Sequence, residues 1–144
     1  MEKKTPTGEL YELLETSGDF CAVDKLLETE PITFTRYLKE LMKTYQITGT
    51  GLMRNSLLSK SYTYQVLDGS RQPERNVVLR LAFSLGCSLK EVQHLLALSN
   101  NGILYPKIRR DAAIIFGIRQ GYSLAEVNEF LEKIGEQGLL EIRE

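Results

Sequence analysis

The chain has 144 residues, 42% hydrophobic and 26% charged, with a formal charge of −1, which suits one ordinary domain with a buried core and excludes two large domains or a disordered chain. No apolar run approaches the roughly 18 residues that span a bilayer, and residues 1–8 hold no apolar signal core, so a cytoplasmic location is expected. The small net charge conceals three blocks: five basic and nine acidic side chains over 1–42, eleven and four over 43–119, two and six over 120–144, so the middle suits a polyanion unless the blocks attract one another within the fold.

Helical periodicity runs through the chain without a convincing period-two stretch, so an all-α fold is expected. Leu10, Leu13 and Leu14 predict one short amphipathic helix, and Phe20, Val23, Leu26 and Leu27 another ending before Pro31. Together they form an N-terminal extension over 1–32. Phe34, Tyr37, Leu38, Leu41, Met42 and Tyr45 follow the i, i+3, i+4, i+7 rule and predict a longer helix. A short helix is expected near 50–57. Ser59 is positioned to cap a helix from Lys60 to Asp68, which Gly69 can close because glycine enters the left-handed conformation without steric cost. Pro73 is expected in the first turn of the next helix, which runs to Gly86. Ser88 and Glu91 have capping-box spacing and open a helix through Leu98. The two cysteines, Cys21 and Cys87, have no CxxC or Cys/His partner and read as reduced core residues.

The last third repeats this pattern at an offset of 35 residues. Arg75 and Asn76 answer to Arg110 and Asp111, and Gly86, Ser88, Glu91 and Leu96 answer to Gly121, Ser123, Glu126 and Leu131. Two copies are too few for a free-standing solenoid. Residues 100–144 are therefore expected to form a helical hairpin that repeats 73–98 and packs on the core.

Residues 34–97 resemble the Cro/cI-like, or XRE-type, class of helix-turn-helix regulators. The resemblance is carried by Gly69-Ser70-Arg71-Gln72-Pro73, a glycine closing a helix with a proline four residues on, and by the join Leu85-Gly86-Cys87-Ser88-Leu89. The Tyr62-x-Tyr64-Gln65 and Leu104-Tyr105-Pro106 stretches also resemble short regulators of this type in anaerobic bacteria. The resemblance implies a five-helix phage-repressor-like core over 33–99, a transcription regulator that binds duplex DNA, and a homodimer. Thr63 and Val66 stand where the class locks its reading helix to the core. Gly49, Met53 and Leu57 depart from it, standing for glutamine, alanine and the turn glycine, which implies a wider crossing or a shifted turn.

On that footing the face opposite Val66 supplies the base-contact candidates Lys60, Ser61, Tyr64 and Gln65, with Gln65 having the amide geometry for adenine. Arg54, Ser59, Arg71 and Arg75 are the phosphate candidates. Tyr62 reads as core, and Arg75, matched by Arg110, also fits a structural pattern shared by the hairpins. Asp68 would repel a nearby phosphate. Leu139, Leu140 and Ile142 are candidates for the dimer surface. The competing reading is a helical protein–protein interaction module, an adaptor acting through Tyr62, Tyr64 and the C-terminal repeat. Enzymatic activity is not expected: His94 has no nucleophile at a useful spacing, Cys87 sits at a helix break, and neither a phosphate-binding glycine loop nor a metal cluster is present in the sequence, so no cofactor is assigned.

Overall fold

The structure is a computed structural model that describes residues 7–24 and 32–140. The described residues form nine α-helices and no strand: α1 (Thr7–Thr16), α2 (Phe20–Asp24), α3 (Phe34–Thr44), α4 (Gly49–Ser56), α5 (Lys60–Asp68), α6 (Arg75–Leu85), α7 (Leu89–Leu98), α8 (Arg109–Gln120) and α9 (Leu124–Lys133). Among them no helix is long and apolar enough to cross a membrane. The chain divides into two compact units, residues 1–32 and 33–144.

In the first unit, α1 is followed by a Ser17-Gly18-Asp19 turn in which the Asp19 carboxylate accepts the Cys21 N–H at 3.0 Å and opens α2. Val23 is buried, whereas Leu14 and Phe20 are exposed. Cys21, expected in a core, is exposed as well; it lies on the open side of a helix too short to bury more than one face. Leu26, Leu27 and Pro31 lie outside the described residues.

The second unit is built around α3, α6 and α7. α3 buries Phe34, Leu38, Leu41 and Met42 on one stripe, and Thr33 caps it by accepting the Arg36 N–H. α3 lies over α7, where the Tyr45 hydroxyl donates to the Glu91 carboxylate and the Tyr37 hydroxyl lies 3.4 Å from His94 Nδ1. Burial, reinforced by the Glu91 charge, pushes the Tyr37 phenol up to about 12. The bond to Glu91, followed by burial, does the same to Tyr45. α4 packs on α6 and α5, with Leu52, Val66, Val78 and Leu79 almost wholly buried between them.

The 35-residue repeat is a property of the fold as well as of the letters. Gly86 and Gly121 close α6 and α8 with φ of 73° each, in the left-handed region that a β-carbon disfavours. Ser88 and Glu91, and again Ser123 and Glu126, form complete capping boxes. The Gln93 amide holds the backbone N–H and carbonyl of Leu104, while its counterpart Asn128, one carbon shorter, accepts the N–H of Leu140. Arg75 donates to the carbonyls of Asn101, Gly102 and Ile103 after α7, and Arg110 to those of Gln137 and Gly138 after α9. Each hairpin thus begins with an arginine that ties down the loop leaving it.

Two further expectations need correction. Pro73 lies outside α6 rather than in its first turn: Glu74 is the extended residue before the helix, and the Pro73 carbonyl is taken by the Asn101 amide at 3.0 Å. Leu139 does not belong to an exposed dimer surface. It is 1% exposed, the counterpart of buried Leu104, and Leu140 is half-buried beside it. Ile142 lies outside the described residues.

Candidate nucleic-acid interface

The α4–turn–α5 unit depends on one unusual residue. Leu57, directly after α4, adopts φ 60° and ψ 26°, the left-handed conformation that costs a leucine about 1–2 kcal/mol. Its side chain is 62% exposed and so clashes with neither helix. The turn therefore keeps a glycine-like backbone without the glycine. Arg80 holds it there: the buried guanidinium donates through Nε to the Ser56 carbonyl at 3.1 Å and through Nη2 to the Leu57 carbonyl at 2.9 Å. A cation at these carbonyls also satisfies the negative end of α4. Gly49 lies against α5. A methyl group there would touch the Tyr64 and Leu67 side chains at 3.4–3.5 Å, an ordinary contact, so α5 packs directly over the start of α4.

α5 is capped at both ends by the residues that the sequence nominates. The Ser59 hydroxyl oxygen accepts the Tyr62 N–H at 3.1 Å, and Gly69 closes the helix at φ 84°. Thr63 and Val66 are buried, and the Thr63 hydroxyl donates to the Ser59 carbonyl at 2.8 Å. These contacts fix which flank faces out: Lys60, Ser61 and Tyr64 are exposed, and Gln65 is half-buried beside them.

Gln65 is not a loose side chain. Its Oε1 accepts from Arg71 Nε at 2.8 Å, and its Nε2 reaches toward the Ser61 hydroxyl at 3.4 Å. Arg71 in turn stacks its guanidinium over the Tyr62 ring, 5.0 Å from the centroid. The arginine orients the amide, and the tyrosine orients the arginine. Tyr62 itself is half-buried against the core. One lone pair of Gln65 Oε1 remains, with Nε2 as donor, so the amide keeps the donor and acceptor needed by an adenine edge.

The basic candidates separate into two groups. Arg54, Lys60 and Arg71 are exposed around α5. Arg75 departs from the phosphate reading: besides its three carbonyls, it makes a two-point ion pair with Asp111 at 3.0 and 3.1 Å, so its donors face protein acceptors. The Ser59 hydroxyl serves as a helix cap, accepting the Tyr62 N–H, and its proton is the one donor it could offer a phosphate. Asp68 at the end of α5 is exposed and accepts the Ser70 N–H at 2.8 Å; the bonds from Ser70 hold its carboxyl below the usual range. The basic middle block is thus partly used within the fold, since Arg75, Arg80 and Arg110 hold loops, and the exposed Arg109 pairs with Glu136 at 3.0 Å.

Arg80 is the residue that sequence reasoning overlooked. Its signal was available: a lone arginine inside the otherwise apolar run Val77-Val78-Leu79-Arg80-Leu81-Ala82-Phe83, at a spacing that demands burial. No protein-family model, no curated protein and no solved structure matches the chain.

Proposed function

We propose that the chain is a sequence-specific regulator of transcription that binds duplex DNA, using α4, the Leu57 turn and α5 as a helix-turn-helix within a five-helix unit of α3 to α7. α5 is the reading helix in this proposal. Gln65 and Ser61 meet base edges, Tyr64 contacts a thymine methyl, Lys60 reaches a base or a phosphate, and Arg54 and Arg71 engage phosphates on either side. The observation that supports it best is the outward flank of α5, with Gln65 braced by Arg71 and Arg71 braced by Tyr62. A side chain already held in one rotamer loses less entropy on binding than a free one.

The adaptor reading draws on different atoms: Leu57 and Tyr64 are both exposed on this side, and apolar side chains suit a protein partner. Fluorescence anisotropy separates the two. Titration of duplexes at two salt concentrations is expected to show binding that weakens with salt by about one unit of log slope per phosphate contact. Gln65→Ala is expected to lose about 1–3 kcal/mol of discrimination at one base pair while leaving non-specific binding intact. A flat salt response together with no duplex binding would end the regulator reading.

A further inference from the structure

The two hairpins share a frame but differ on one face. On the first, Leu81, Cys87 and Leu95 are buried, and α3 lies over α7 through Tyr45 on Glu91 and Tyr37 at His94. Thirty-five residues on, the same positions hold Phe116, Tyr122, Phe130, Glu126 and Glu129. There the face is open. Phe116 is 46% exposed, and Tyr122, Glu126, Glu129, Phe130, Lys133 and Ile134 line an open groove of about 570 Å³. Its rings are already arranged: Phe116, Tyr122 and Phe130 pack edge to face with centroids 5.5, 5.8 and 6.1 Å apart. Beneath them Gly117 lets α9 approach α8, since a methyl group there would meet the Val127 side chain at 2.9 Å.

We propose that this groove is a docking site for a helix of a partner polypeptide, an amphipathic helix with lysine or arginine beside its apolar stripe, seated on α8 and α9 as α3 is seated on the first hairpin. The internal repeat supplies the geometry, because the groove lies at the counterparts of Glu91 and His94, the α7 residues that α3 touches. Charge selects the occupant. Glu126, Glu129 and Glu132 are exposed on α9 against a single Lys133. A second copy meeting this face symmetrically would set those carboxylates against themselves. α1 carries three glutamates and no lysine or arginine, so the chain's own first helix has the wrong sign. α3 has the right one, with Arg36, Lys39 and Lys43 against Glu40. The proposal is independent of the DNA reading.

The probe is a synthetic peptide with the sequence of residues 32–47, titrated into the full isotope-labelled chain and followed by amide and aromatic NMR shifts. Shifts are expected at Phe116, Tyr122, Glu129 and Phe130. Phe116→Ser is expected to weaken the peptide about tenfold, and Glu129→Lys about threefold. A peptide carrying Arg36→Glu, Lys39→Glu and Lys43→Glu should prefer the Glu129→Lys protein to the parent. Unchanged thermal unfolding of both variants keeps the comparison valid, and Tyr122→Ser replaces any variant that fails this check. Absence of shifts at the groove, or shifts indifferent to Phe116→Ser, overturns the proposal. Self-association of the free chain that Phe116→Ser abolishes overturns it in favour of a second copy. Tighter peptide binding on Leu14→Asp overturns it in favour of α1.

Discussion

Arg71 and Arg75 stand close together in the most basic block of the chain, and their guanidinium groups are used in opposite ways. Arg71 leans on Tyr62 and Gln65 with the rest of its fork toward solvent. Arg75 is turned inward, with four of its five N–H groups taken by three carbonyls and the buried Asp111 carboxylate. What separates them is the supply of acceptors. The loop after α7 exposes carbonyls that need a donor, and Arg75 sits where the first turn of α6 meets it. Among the described residues no loop carbonyl accepts from the Arg71 guanidinium. A count of positive charge therefore overstates the charge offered to a partner, and only coordinates divide the structural cations from the others.

The largest effect that tests this contrast is on stability. Arg75→Ala leaves the Asp111 carboxylate, which is 3% exposed, without a compensating charge and with only the Tyr105 N–H as donor, and is expected to cost about 3 kcal/mol in urea unfolding. Arg71→Ala should cost under about 0.5 kcal/mol, yet weaken duplex binding and lower the salt slope by about one. Equal losses of stability in both variants would erase the distinction.

A second expectation concerns alkali. Tyr37 and Tyr45 titrate near 12 in the folded chain against 10.0 for an ordinary tyrosine, so the folded state holds its protons longer than the unfolded one. Their stabilising contribution is complete below pH 10, falls as pH rises from 10 toward 12, and is lost beyond it. Unfolding midpoints measured from pH 9 to 12, with phenolate absorbance recorded in parallel, should show the decline beginning near 10 and Tyr37 and Tyr45 titrating late, with Tyr62, raised by burial, also above the ordinary tyrosine. A small gain is expected at the turn. Leu57→Gly relieves the left-handed leucine but loosens the unfolded chain, for a net gain of about 0.5 kcal/mol in the same urea assay.

Helix boundaries were legible wherever they are set by adjacent residues. Ser59 and Gly69 bracket α5, and the two capping boxes open α7 and α9, because a cap needs only a side chain and a backbone group a turn away. The outward flank of α5 was legible for the same reason, once Thr63 and Val66 were assigned to the core. What escaped depends on distant segments. Arg75 meets its acceptors across the loop after α7, Arg80 reaches back to the end of α4, and Leu139 is buried because it repeats Leu104. The offset of 35 residues contained that last fact, had it been carried beyond α9. Cys21 misled because burial was inferred from residue type alone.

The hairpin repeat also bears on how the chain reaches its native state. α4 with α5, α6 with α7 and α8 with α9 are pairs of sequence neighbours, so each can zip without closing a long loop, and such local topologies fold quickly. The placement of α3 across α7 joins segments far apart along the chain. Its entropy cost is expected to fall late, after the hairpins exist to receive it, so Tyr45→Phe should show a low φ-value and report the final step rather than the nucleus.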